Sequence, residues 1–186
     1  MIDLLNKKFV GYIFIVLLGY VFFRQDDTAV SYIYSKIDNG AILYGMSTSL
    51  ACFFSFVAIV YADKIIKKID YRIYISIVLM FVSLVIVFFI NENNKYLFIF
   101  IAMFNGSGTG IFLSNVKAYL INKSPDMKKR VIMMCSLVEN SMFFLISLIF
   151  INILSFYGRS VWLATIVLFI IIWFLYLIKV EKKYKH

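Results

Sequence analysis

Proline occurs once in this chain, at Pro125, and histidine once, at the final position, His186. A single terminal histidine excludes a histidine-based metal site or catalytic dyad. The two cysteines, Cys52 and Cys135, each lie inside an apolar run, so there is no disulfide framework and no metal-ligand spacing. No cofactor is expected. Acidic residues are scarce as well: 10 Asp+Glu stand against 19 Lys+Arg, for a net charge of +9. Charged residues make up 16% of the 186 positions, where soluble domains carry about 25%. Too few polar groups are present to cover a water-facing surface, which excludes a cytosolic globular protein.

What fills the chain instead is hydrophobic. Apolar residues are 63% of the sequence, with 20 Phe and 13 Tyr, and the mean hydropathy is +0.91. The apolar residues form continuous runs rather than the alternation of barrel strands, which need only about 10 residues each. Six spans are expected, at about 9–34, 41–62, 72–90, 96–119, 131–154 and 161–178. The expected fold is therefore an all-α membrane protein, with residues 1–186 as one six-helix transmembrane domain. The first run admits two readings. It stops at Phe23, leaving Arg24, Asp26 and Asp27 in a loop, or it continues as helix to Tyr34 and carries those charges partway across. Lys7 and Lys8 before the run also suit a secretory signal, but the run ends in charges rather than a small-x-small cleavage site.

Basic residues set the expected orientation. Lys7 and Lys8, the segment with Lys64, Lys67, Lys68 and Arg72, the segment from Lys117 to Arg130, and the tail from Lys179 to Lys185 fall on one side. Fifteen basic residues lie there, and only Arg24, Lys36, Lys95 and Arg159 on the other. Both termini are thus expected in the cytoplasm, with outside loops near 28–36, 91–95 and 155–160. The positive charge is read as topology and contact with the anionic lipid bilayer, worth ~1 kcal/mol per basic residue. Nucleic acid is not an expected partner.

Helices in lipid associate through close backbone approach. The fourth run carries Gly106, Gly110, Ser114 and Ala118, each separated by four, so they share one helix face. The second run has Ser47, Ala51 and Ser55, with Gly45 and Ser49 beside them. Each face is expected to press against a neighbour. The segment Gly106-Ser-Gly-Thr-Gly lacks the Gly-Lys-Ser/Thr ending of a phosphate loop and is read as packing.

Ionisable groups within spans are costly and mark functional candidates. These are Arg24, Asp26, Asp27 and Glu139, with Asn140 beside the last. Glu139 falls eight residues into the fifth run, ~12 Å deep. Satisfaction of Glu139 by a neighbouring helix is the competing reading. Lys117 lies near a span end and can snorkel.

After the second run the chain reads Tyr61-Ala-Asp63-Lys64-Ile-Ile-Lys67-Lys68, then Arg72. This resembles the signature loop of the major facilitator superfamily, G-x-L-A-D-R-x-G-R-R/K. Asp63 matches its acidic position, and Lys64, Lys67 and Lys68 match basic ones; Ile59 and Ile66 replace its glycines. The stretch from Gly19 through Asp27 to Gly40, Ala41 and Gly45 resembles the first-span region of macrolide-efflux-like exporters. The glycine-bearing fourth span, Lys117-Ala118 and Ser124-Pro125 resemble that family's fourth helix and following loop. The resemblance covers essentially the whole chain, with no motif exact. Ala102 stands where many members carry an arginine linked to proton coupling, and the fifth span lacks the G-x-x-x-G-P-x-x-G-G antiporter motif.

The resemblance implies a six-span N-terminal half of a transporter in the cytoplasmic membrane of a bacterium, exporting small amphipathic molecules by alternating access. It implies that Asp63 latches one conformation by pairing with a cation across the interface between halves. A second half, or a second copy inserted in the same orientation, is then the expected partner. The alternative is a truncated, non-transporting membrane protein that acts as a structural or regulatory helix-packing partner. Intramembrane proteolysis is not expected: no histidine lies in a span, and Asp26 and Asp27 are adjacent rather than on separate helices.

Overall fold

A computed structural model describes residues 7–123 and 128–184. Among the described residues every regular element is helical, and no strand occurs. The order is α1 (Lys7–Tyr34), α2 (Gly40–Ile65), α3 (Ile69–Phe88), a 3₁₀ turn (Lys95–Leu97), α4 (Phe98–Lys123) and α5 (Lys128–Tyr184). Four helical stretches are long and apolar enough to cross a membrane: Gly40–Ile65, Ile69–Phe88, Lys95–Lys123 and Leu148–Leu168. That is the make-up of a multi-pass membrane protein.

Of the two readings for the first run, the chain takes the longer: α1 continues through Asp27 to Tyr34. Residues 28–34, expected in an outside loop, are thus helical, and the turn is confined to 35–39. Asn39 closes it with φ 58°, in the left-handed region that asparagine tolerates. The expected loop of 155–160 shrinks further. α5 is helical on both sides of Gly158, whose φ of 80° and ψ of 177° break the helix at one residue. Only glycine adopts that conformation readily.

Helix ends also reach beyond the apolar runs. Asp63 and Lys64 lie in the last turn of α2, and Asp70 and Arg72 in the first turn of α3, leaving only 66–68 between the helices. Hydropathy stops at a charge, whereas the hydrogen-bonded turn does not. Residues 124–127, which include Ser124 and Pro125, lie outside the described residues.

α4 is the centre of the bundle, packed chiefly between α2 and α3, while α1 lies against α5 and α3. Ile73, Met80, Leu84 and Val87 of α3 are buried at helical spacing, and Leu18, Phe22, Ala29 and Ile33 of α1 likewise. Trp162 of α5 is fully buried. The outer surface is the reverse of a soluble protein's. Met46, Phe53, Phe56 and Val60 of α2, Val78 of α3, Phe100 of α4 and Leu137 of α5 are exposed. Such a surface has no aqueous solution; acyl chains or another apolar protein must cover it.

Three connections meet at one end of the bundle. The Tyr34 hydroxyl donates to the Lys95 carbonyl at 2.9 Å, the Asp38 amide donates to Glu92 at 2.9 Å, and Arg159 donates to the Ile90 carbonyl. The three segments expected on the outside therefore share one end. The opposite end holds the α2–α3 connection and the end of α4.

A polar cavity and the charged end of the bundle

Two small-residue rows build the wall between α2 and α4. A Cβ added at Gly106 would lie 2.3 Å from the Ala51 carbonyl oxygen, and one at Gly110 would lie 2.6 Å from that of Ser55. These backbones touch, so the faces expected to meet neighbours meet each other. Gly108 turns the other way, against Ser76 and Met80 of α3. The row does not continue as an interface: Ser114 and Ala118 are exposed, and the Ser114 hydroxyl donates back to the Gly110 carbonyl at 2.7 Å.

α1, α2 and α4 line a partly open cavity of about 490 Å³, whose α2 wall includes the exposed Thr48, Cys52, Phe56 and Ile59. Its apolar walls include Phe23, Val30, Phe56, Ile101 and Ala102; its polar groups include Asp27, Tyr44, Thr48, Cys52, Asn105 and Thr109. The Tyr44 hydroxyl donates to Asp27 Oδ1 at 3.0 Å, tying α1 to α2. The Thr109 hydroxyl donates to Asn105 Oδ1 at 2.9 Å, and that of Thr48 to the Tyr44 carbonyl at 3.0 Å. Asp27 is seven residues before the end of α1, and Asn105 seven after the start of α4. At 1.5 Å per residue both are ~10 Å in from the same end. Volume, apolar walls and a few fixed polar groups are the attributes of a small-molecule site.

A second polar cluster closes the opposite end. Arg72 pairs with Asp63 at 2.6 Å, donates to the Ile66 carbonyl at 2.6 Å, and donates to Asn115 Oδ1 of α4 at 3.1 Å. One guanidinium thus fastens the α2–α3 connection to α4 through its several donors. Within the bundle Asp63 pairs with Arg72 of the same connection. Lys64, Lys67 and Lys68 are exposed. Beside this cluster Lys123 of α4 pairs with Asp70 of α3 at 2.9 Å and lies over the rings of Tyr12 and Tyr119.

The candidates from sequence are therefore dispersed. Asp27 lines the cavity. The side chains of Arg24 and Asp26 lie outside the described residues. Glu139 is half-buried on α5 with no described hydrogen bond or ion pair, and Asn140 is exposed; neither lines the cavity. Sequence reasoning missed Tyr44, Asn105 and Asn115. A signal was present: Asn105 and Asn115 are the only amide side chains between Phe98 and Leu120, and an amide in an apolar span needs a partner. Among the described residues no group of three or more His, Cys, Asp or Glu is placed to hold a metal ion. No protein-family model, no curated protein and no solved structure matches this chain.

Proposed function

We propose that the chain is one six-helix bundle of a membrane transporter of the major-facilitator type, with both termini cytoplasmic. It works by alternating access against a second bundle, supplied by another copy or by a complementary half. The observation that carries this reading is the cavity between α1, α2 and α4. Its polar groups lie within long, mostly apolar helices, and exposed residues of α2 line it, so a single bundle leaves it partly open. A carboxylate facing acyl chains costs ~2.5–3.5 kcal/mol or more at the bilayer centre. A second bundle across the opening converts that liability into a wet, enclosed chamber.

Two further features support it. α2, which forms one wall of the cavity, buries only Gly40, Leu43, Ser47 and Ala62 within the bundle, so a wide face remains for a partner. At the other end, Arg72 gathers Asp63 and Asn115 into a compact lock between helices, a suitable element for a two-state transition. On this reading α1, of 28 residues, and each arm of α5 on either side of Gly158 cross the membrane as the remaining spans.

The test is uptake into vesicles reconstituted with the purified chain, measured with a set of fluorescent amphipathic small molecules. Uptake of at least one above that of protein-free vesicles is expected. Uptake equal to protein-free vesicles for the whole set, with the protein folded and inserted, favours the non-transporting helix-packing role.

A further inference from the structure

The hydrogen bonds around the cavity indicate its occupant, an inference that rests on the transport reading just given. Three of the hydroxyls on the wall donate within it. Thr48 donates to the Tyr44 carbonyl, Thr109 to Asn105, and Tyr44 to Asp27. The charge that the wall offers an occupant is negative, beside neutral donors such as the Asn105 amide. Among the described residues Asp27 is its one acidic or basic side chain. Among the described residues it forms no ion pair, and one neutral hydroxyl is its only described donor. A carboxylate in apolar surroundings with a single neutral donor is poorly compensated and demands a cation. Phe23 and Phe56 supply apolar and aromatic surface on the same cavity, and an aromatic face attracts an organic ammonium.

We propose that this cavity binds a monovalent, amphipathic organic cation, its charged head against Asp27 and its apolar body along Phe23, Phe56 and Ile101. An anion meets an uncompensated carboxylate there, and a dication finds no second acidic group in the described wall. A neutral amphiphile leaves the Asp27 charge unanswered. The Tyr44 hydroxyl has a positioning role: it holds one carboxylate oxygen toward α2 and leaves the other to the ligand.

The test uses the full chain in lipid nanodiscs and two probes of one shape. One is (biphenylmethyl)trimethylammonium; the other is its neutral isostere with carbon in place of the ammonium nitrogen. Binding of the cation about tenfold tighter or more is expected, with the preference abolished in Asp27→Asn and kept in Asp27→Glu. Equal binding of the two probes, or a preference that survives Asp27→Asn, overturns the proposal.

A second measurement does not depend on the folding of Asp27 variants. Cys52 lines the cavity and is exposed, whereas Cys135 is buried. In a Cys135→Ser background, alkylation of Cys52 by N-ethylmaleimide should slow with the cation and not with the isostere. An unchanged rate at saturating cation counts against the assignment. The two readings fail separately. Charge-selective binding without uptake overturns transport and leaves the site, whereas equal uptake of both probes leaves transport and overturns the cation site.

Discussion

Gly106 of α4 stands so close to Ala51 of α2 that any side chain there would meet the alanine's carbonyl oxygen at 2.3 Å. In lipid, where apolar side chains gain nothing by leaving apolar solvent, this backbone contact is what holds the pair together. It also fixes the floor of the cavity, since Ala51 and Gly106 are both part of its lining.

Gly106→Val should therefore separate α2 from α4, costing about 1–3 kcal/mol by overpacking. Gly45→Ala is the matching control, because nothing lies within 4 Å of a Cβ added there. Thermal unfolding in detergent should show a lower midpoint for Gly106→Val and an almost unchanged one for Gly45→Ala. Equal midpoints for Gly106→Val and the unmodified chain would mean that the two helices do not touch at this point.

At the charged end, Arg72 and Asp63 should respond unequally. The Arg72 side chain is 14% exposed and that of Asp63 is 69% exposed. Removing Arg72 strands Asn115 and the Ile66 carbonyl, so Arg72→Ala should destabilise by ~2–3 kcal/mol. Asp63→Asn gives up one exposed ion pair, worth ~1 kcal/mol or less, and should fold normally. If the connection acts as a conformational lock, Asp63→Asn should nevertheless slow uptake in vesicles. Uptake at the unmodified rate would leave Asp63 with only a structural part.

Topology is checked independently of transport. The 35–39, 91–94 and 158–160 segments meet at one end of the bundle through Tyr34, Lys95, Glu92 and Arg159. Single cysteines at Asn93 and Lys67, in a chain freed of Cys52 and Cys135, should react with an impermeant maleimide from opposite faces of the membrane. Labelling of both from the same face would break the six-span arrangement.

Much of the fold was legible in the sequence, because continuous apolar runs leave few options besides helices in lipid. The small-residue rows were legible too, but not that they would face each other. Which faces meet depends on how α4 is rotated, and spacing along one helix does not fix rotation. The turns were read too long for a related reason. Charges such as Asp63, Asp70 and Arg72 end a hydropathic run, yet they sit comfortably in terminal helical turns where ion pairs satisfy them. Of the candidate charges whose side chains are described, only Asp27 reached the cavity. Its partner Tyr44 comes from another helix, and nothing in the local pattern around Tyr44 distinguishes it from the 12 other tyrosines.

The central claim is that the cavity is closed by a second bundle. Its most direct test is crosslinking between chains in vesicles that show uptake, from the native Cys52 and from single cysteines at Phe53 and Phe56 on the exposed side of α2. A short bifunctional maleimide should yield a covalent dimer, or a defined adduct with a complementary half, at one or more of these positions, and the yield should change when ligand is added. A monomer mass at every position, with uptake undiminished, would contradict the account.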